Sequence, residues 1–280
     1  MKEISSVKIS RYSNNILNTN IPDNIIEESP LRIIIDHGKI QNRIRENLSV
    51  TMRTPGDDLN LVAGFLFCEG IIKHASDILS MKHIGNTGNK NYQENILLAE
   101  LAPHVSFDIE QKKRNFITSA ACGFCGKSVA DIQYDHFFPA DRSLKIPLTV
   151  LSQLPALLNS SQSLFTKTGG AHAVALTDKD GKLVHISEDV GRHNAMDKMA
   201  GAMLARKMLP LQNSIVLFSG RVSYELVQKS IAAGIPVICA IGAPTSLALE
   251  VAQDHGITLV CFLKKNSFNI YCGAERIIQS

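Results

Sequence analysis

The spacing of apolar residues changes character near the middle of the chain. In the first half, apolar positions alternate or come in short runs. Leu31-Arg-Ile-Ile-Ile35, the turn Asp36-His-Gly38 and residues 39–46 predict a β-hairpin, and Leu48 to Arg53 continues as a strand. Residues 1–24 are polar and rich in Asn and Ser, and predict a loosely held arm. Thr54-Pro-Gly-Asp57-Asp58 reads as a turn that opens a helix, with acidic groups suited to its first turn. Leu61, Phe65 and Leu66 follow at helical spacing, Gly70 stops the helix, and short strands are expected at 95–101 and 104–109.

In the second half the period becomes that of an α/β sheet. A helix over Leu148–Leu158 precedes Thr168-Gly-Gly170 and an apolar strand, Ala171–Thr177; the turn Asp178–Gly181 leads into a strand over Lys182–Ser187. Amphipathic helices at 194–208, 224–233 and 246–255 then alternate with apolar strands at 214–219, 237–241 and 257–263. Continuous apolar strands separated by helices predict a sheet covered on both faces and mostly parallel. The expected division is an arm at 1–24, a β-rich domain at 25–140 and an α/β domain at 141–280, with a boundary near Pro139–Pro147.

Composition narrows the function classes only modestly. The chain has 280 residues, 45% hydrophobic and 20% charged, with a formal net charge of +3 that gives no argument for nucleic acid. Six cysteines, nine histidines, no N-terminal apolar run and no stretch approaching the roughly 20 apolar residues of a membrane span predict a cytoplasmic protein. Cys68 and Cys239 lie in apolar runs and read as small core residues, and Met196, Met199, Met203 and Met208 follow helical spacing as core residues do.

The most informative chemistry is Cys122-Gly-Phe-Cys125-Gly126-Lys127, on the segment that joins the two expected domains. Glycines after each cysteine let the backbone approach a ligand, and Lys127 with free loop amides favours thiolate over thiol. A C-x-x-C pair admits a redox disulfide, half of a zinc site, or a nucleophilic or sulfur-carrying cysteine. A structural zinc wants four ligands, and the chain has neither a second C-x-x-C nor an H-x-x-x-H; His136, His172 and His193 are the unspecific alternatives. The zinc deaminase signature is also incomplete, since no H-x-E exists and Ala121 precedes the pair.

A second set of candidates sits where strands of the α/β half end. Thr168-Gly169-Gly-Ala-His172, Glu188-Asp-Val-Gly191-Arg192-His193-Asn194, Ser219-Gly220-Arg221-Val-Ser223 and Gly242-Ala-Pro-Thr-Ser246 are polar, Gly-rich turns. Open α/β sheets bind ligands at the carboxyl ends of their strands, and helix N-termini beside arginine make anion sites. Several such turns on one edge, two with Arg, predict a nucleotide or another phosphate-bearing ligand. Simpler readings stand beside this one. Asp189, Ser223 and Ser246 are possible helix caps, Arg192 and Asp197 a possible surface ion pair, and His172 and His193 possible structural histidines.

Taken together, Thr54-Pro-Gly-Asp57, Gly64-Phe-Leu-Phe-Cys-Glu69-Gly70, Cys122-Gly-Phe-Cys-Gly-Lys127, Thr168-Gly-Gly-Ala-His172, Glu188-Asp-Val-Gly-Arg-His-Asn194, Asp197-Lys198, Ser219-Gly-Arg221 and Pro244-Thr-Ser246 resemble the formate dehydrogenase accessory sulfurtransferase family, FdhD/NarQ. The resemblance runs from Pro30 to the end. It implies a cytidine-deaminase-like three-layer α/β domain without zinc, beside a smaller β-rich N-terminal domain. It also implies a sulfurtransferase that takes sulfur from a cysteine desulfurase as a persulfide. That sulfur goes to the molybdenum of a bis(molybdopterin guanine dinucleotide) cofactor before the cofactor enters the formate dehydrogenase catalytic subunit. By the same resemblance Cys122 carries the persulfide with Cys125 beside it, the protein is a homodimer, and the segment Phe262-Leu263-Lys264-Lys265-Asn266-Ser267 contacts the cofactor. A guanine nucleotide would mimic a fragment of that cofactor. The chain departs from the family pattern at Ala121, usually Ser, and at Lys264, usually Arg; lysine keeps the charge but loses the bidentate fork. The alternatives in other classes are a cofactor-binding chaperone that donates no sulfur and a zinc-binding Cys-x-x-Cys protein.

Overall fold

The computed structural model describes residues 2–85, 95–106 and 143–279. Cys122 and Cys125 lie outside the described residues, as does the first part, 139–142, of the boundary expected near Pro139–Pro147. The polar N-terminal stretch is not a loose arm. Strands β1 (Ile4–Ser13) and β2 (Ile16–Ile26) pair antiparallel along their whole length. None of their residues is buried, and both faces of this ribbon are largely solvated.

Strands β3 (Ser29–His37) and β4 (Ile44–Arg53) form the expected hairpin, and β3 also pairs in parallel with β6 (Ile96–Leu101). The edge strand β5 (Ile78–His83), which the hydrophobic pattern did not single out, completes a four-stranded sheet. The expected strand at 104–109 is absent over its described part, 104–106. Helix α1 (Asp58–Cys68) covers the sheet, burying Leu61, Val62, Leu66 and Phe67 against Leu31, Ile33 and Leu97. Its start is fixed by a buried ion pair: Arg53 Nε and Nη2 each donate to Asp58, both at 2.9 Å. Gly70 ends it at φ +67°, a conformation that costs glycine little.

The second half builds a six-stranded sheet from β8 (His172–Asp178), β9 (Leu183–Asp189), β10 (Ser214–Phe218), β11 (Val237–Ala240), β12 (Thr258–Lys264) and β13 (Ser267–Cys272), in the order β13-β12-β11-β10-β8-β9. Helix α2 (Leu148–Ser161) packs on one face, and the short α3 (Ser163–Thr168) follows it. Helices α4 (Arg192–Ala205), α5 (Tyr224–Ala232) and α6 (Ser246–Asp254) pack on the other. The alternation along β10 shows the two faces directly. Ile215 and Leu217 join the cluster under α2, while Val216 and Phe218 join the one under α4 and α5. The short strands β7 (Ile146–Pro147) and β14 (Ile277–Ile278) tie the entry of this half to its end.

The layered α/β reading holds, but the sheet is not mostly parallel. β10–β11 and β11–β12 run parallel, whereas β8–β9, β8–β10 and β12–β13 run antiparallel. Continuous apolar runs report burial on both faces, not direction. Direction was set by the connections: tight turns at Asp178–Gly181 and Lys265–Asn266 make hairpins, and only crossover helices give parallel neighbours. The core reading of the methionines holds for Met196, Met199 and Met203, which are fully buried, while Met208 is exposed beyond the end of α4.

The two halves are joined by helix on helix, α1 against α4. A Cβ added to Gly64 would lie 1.8 Å from the Asp197 carbonyl oxygen, and one added to Gly201 would lie 1.9 Å from that of Asn60. The backbones therefore touch where the helices cross, and no side chain fits between them. We expect Gly201→Ala to destabilise the protein by about 1–3 kcal/mol or more, the range for forcing extra methyl groups into a packed interior. Urea denaturation measures this as a lower midpoint, and an unchanged midpoint would contradict so close a crossing.

Candidate functional site

The strand ends and helix starts of the α/β half converge on one edge of the six-stranded sheet, as the sequence predicted. β8 runs antiparallel to β10, so its first residue, His172, lies beside the ends of β9 and β10, paired with Asp189. Around this edge lie Gly191, Arg192 and His193 at the start of α4, and Ser219, Gly220 and Arg221 before α5.

Backbone contacts stack the turns on one another. Gly242 N donates to the Gly220 carbonyl at 3.1 Å, and Phe262 N donates to the Gly242 carbonyl at 3.1 Å. A Cβ on Gly242 would lie 2.8 Å from Arg221 N, and one on Gly220 would meet the His172 ring at 3.3 Å. Glycine is required at Gly242, where the obstacle is backbone, while at Gly220 the contact is a tight one with a side chain. The same chain of contacts brings Phe262 to the Gly242 turn, in the left-handed region at φ +54°, its ring exposed beside a bulge in β12.

The helix N-termini at this edge differ in one respect that matters for binding. The Thr245 side chain caps α6, accepting from Ala248 N at 3.3 Å. Helix α4 has Gly191 at its N-cap, and α5 has Ser223, whose side chain does not cap. The first amides of α4 and α5 are thus left without a side-chain cap, and they sit together: His193 Nε2 lies 3.1 Å from Ser223 Oγ and 2.9 Å from Glu225 Oε2. Of the three helix-opening turns, two remain as anion-binding candidates and the third is a capped helix start.

Arg192 and Arg221 bring positive charge to the same place. The Arg192 Nε atom is buried without a hydrogen-bond partner among the described residues. Burial and the neighbouring Arg221 both pull its pKa down, against Glu225. The expected Arg192–Asp197 ion pair does not form. Asp197, itself a residue of α4, is buried, and Lys229 Nζ donates to it at 2.6 Å. His172 is held below the usual imidazole pKa, first by burial and then by Arg192 and His193. An anion bound here would relieve that crowding.

Other sequence-predicted residues do less at this edge. The Ser219 hydroxyl accepts from Ala173 N at 2.9 Å, which splices β8 to β10. Thr168 and Gly169 end α3, with the Thr168 hydroxyl engaged by Leu164 O and Gly170 N and Gly169 at φ +66°. Leu263 is buried under α2, so it packs the core rather than facing a ligand. Lys264, Lys265, Asn266 and Ser267 are exposed around the β12–β13 turn. Asp189 caps no helix through its side chain at the N-cap position; its Oδ1 accepts from Gly191 N at 2.9 Å and from Asn194 Nδ2 at 3.1 Å.

Residues that the sequence did not assign prove to hold the site. Thr54 is fully buried against the Asp189–Asn194 turn: its amide donates to Asp189 Oδ2 at 3.1 Å, and its hydroxyl accepts from Val190 N at 3.0 Å. Lys198 pairs with Asp189 at 2.7 Å and donates to the Thr54 carbonyl at 3.0 Å. Glu188 accepts from the amides of Leu164 and Phe165 at the start of α3. Thr54, Asp189 and Lys198 do appear in the sequence motifs, but residues so far apart in the chain give no local sign of their partners.

The chain thus combines a layered α/β domain with a β-rich domain, and it carries Arg192 and Arg221 close together at one end of the larger sheet. The chain matches the FdhD/NarQ family over residues 26–278 and belongs to it. It is 41% identical over 274 residues to sulfur carrier protein FdhD of Streptomyces coelicolor, covering 96% of this chain and 94% of that one. It is 40% identical to that of Mycobacterium tuberculosis, covering 91% and 92%, and 41% identical to that of Saccharolobus solfataricus, covering 83% and 84%. A crystal structure described as a formate dehydrogenase accessory protein from Desulfotalea psychrophila shares the fold, with a TM-score of 0.72 at 23% identity over 99% of this chain and 100% of that one. Among the described residues no helix is long and apolar enough to cross a membrane.

The depressed pKa of His172 has a testable sign. Its imidazole is neutral at pH 7 and titrates below 6.5, so the folded state loses stability as pH falls from 6.5 through the lowered pKa. A histidine NMR titration should place the His172 midpoint below 6.5 in the free protein and raise it when a phosphate-bearing ligand binds. A free-protein midpoint above 6.5 would contradict the crowded, half-buried environment.

Proposed function

We propose that the protein is a sulfur carrier for formate dehydrogenase, and that it holds the cofactor which receives the sulfur at the arginine-lined sheet edge. The carrying observation is the pair of uncapped helix N-termini flanked by Arg192 and Arg221, with the Arg192 Nε atom lacking a partner. Backbone amides at helix N-termini and guanidinium groups both bind phosphate. A bis(molybdopterin guanine dinucleotide) cofactor presents phosphates on two guanine nucleotide tails, so its chemistry fits this edge. The exposed Phe262 ring, next to Gly242, offers a face for a purine or pterin ring.

Cys122 is the sulfur-carrying residue in this reading. Its thiolate takes the terminal sulfur of a cysteine desulfurase persulfide. One S–S bond forms at Cys122 as the donor's S–S bond breaks, and the donor cysteine leaves as a thiolate. The described cysteines are poor competitors for this role. Burial pushes the Cys239 thiol well above its usual pKa, Cys261 is pushed up to about 12, and Cys68 and Cys272 are raised as well. Delivery to formate dehydrogenase and pairing of two copies of the chain belong to the same proposal.

Two experiments test it. After incubation with a cysteine desulfurase and cysteine, intact mass spectrometry should show a gain of one sulfur that is absent in Cys122→Ala. A cofactor-binding chaperone that donates no sulfur would show no gain in either. Calorimetric titration should show that GDP binds the wild-type protein and that Arg221→Ala binds it roughly tenfold more weakly or worse, the scale of one lost charge-assisted contact. Equal binding by both proteins would mean that the edge turns are structural and the cofactor lies elsewhere.

A further inference from the structure

Thr54 belongs to the β-rich half, yet it makes its contacts at the start of α4 in the other half. Its hydroxyl accepts from Val190 N, one residue before the Gly191 N-cap. Its amide donates to Asp189 Oδ2, and its carbonyl accepts from Lys198 Nζ. A second contact from the same strand end reaches the third residue of the helix. Thr51 Oγ1 donates to Asn194 Oδ1 at 3.1 Å, and Asn194 Nδ2 donates to the Met52 carbonyl at 2.7 Å.

The chain from β9 into α4 is therefore held on both sides of its open N-terminus. Upstream, Thr54 fixes Val190; downstream, Thr51 and Met52 fix Asn194. Between these two anchors lie Gly191, whose amide donates to Asp189 Oδ1, then Arg192 and His193, whose amides meet no side-chain cap. A Cβ at Gly191 would lie 3.1 Å from Asn194 Nδ2, so even the cap position is shaped by this contact.

We propose that Thr54, seconded by Thr51, is a positioning residue for the anion site. It touches no ligand, and it acts by holding the strand-to-helix turn in the path that aims the first amides of α4, with Arg192, at a phosphate. An anion site of this kind depends on pre-aligned donors, because each amide contributes only when it points at the ligand. The β-rich half thus contributes to a binding edge that lies wholly in the α/β half. This inference rests on the proposed anion site.

Hydroxyl-specific substitutions test it. Thr54→Val keeps the shape and removes the acceptor for Val190 N, whereas Thr54→Ser keeps the acceptor. GDP titrations of both should show roughly three- to tenfold weaker binding by the valine variant, the effect of about one net hydrogen bond, and near wild-type binding by the serine variant. A generally loosened fold would weaken both variants in line with their melting temperatures, without this rescue by the hydroxyl. Should Thr54→Val fail to fold, the half-buried Thr51 supplies the same comparison, since Thr51→Val removes the donor to Asn194 and Thr51→Ser retains it. Loss with valine and recovery with serine at either position supports the assignment. Wild-type binding by the valine variants, or equal loss by valine and serine, overturns it. Absence of GDP binding by the wild-type protein is a different result, which overturns the anion site itself.

Discussion

Helices α1 and α4 cross with their backbones in contact, and the rest of the molecule is arranged around that contact. Gly64 and Gly201 remove the side chains that would hold the helices apart, and each faces a carbonyl oxygen of the other helix. The gain is reach. With the axes this close, the strand end at Thr51–Thr54 can touch the turn at Asp189–Asn194, and short side chains such as Thr and Asn can bridge two domains. Had ordinary residues kept the helices farther apart, these contacts would need longer, more flexible side chains, with more entropy lost in fixing them.

Charge is divided sharply between the interior and the sheet edge. Inside, three buried cations have a carboxylate beside them: Arg53 with Asp58, Lys198 with Asp189, and Lys229 with Asp197. Burying a charge requires such a partner, and removing one member leaves the other stranded at a cost of about 3–5 kcal/mol. At the edge the balance is reversed. Arg192 and Arg221 lie close together there, near Glu225, which is already 2.9 Å from His193. These three interior pairs are neutralised within the fold, whereas at the edge two guanidinium groups lie near each other.

Much of this was legible in the sequence because the signals were local. Glycine beside arginine or serine at the end of an apolar run marked the strand-end turns, and helical spacing placed α1, α2 and α4 to α6 close to their actual ranges. What was not legible required partners far away. The bonds from Thr54 to Asp189 and from Lys198 to Thr54 span 135 and 144 residues, and nothing around Thr54 distinguishes it from a residue of an ordinary turn. Strand direction was hidden for a related reason, since it is decided by the connections and not by the strands. Leu263 was assigned to the ligand because it lies within a contiguous motif. The pleat turns it away from its neighbours Phe262 and Lys264 and into the core.

The run from Asp189 to Asn194 shows how one motif combines two kinds of constraint. Asp189 and Asn194 face inward, where they bind Gly191 N, the Thr54 amide and the Met52 carbonyl. Arg192 and His193 face the edge. The two pairs act together, because uncapped amides keep a fixed direction only if the turn that carries them is rigid. A side-chain cap would have steadied the helix by about 1 kcal/mol, as Thr245 does for α6, but it would have occupied the amides. In α4 the steadying contacts instead come from outside the helix, from Thr54 and Thr51 of the other half, and no side chain caps its first turn. That substitution of a tertiary tether for a local cap places the most distinctive sequence in the chain where the two domains and the edge carrying Arg192 and Arg221 meet.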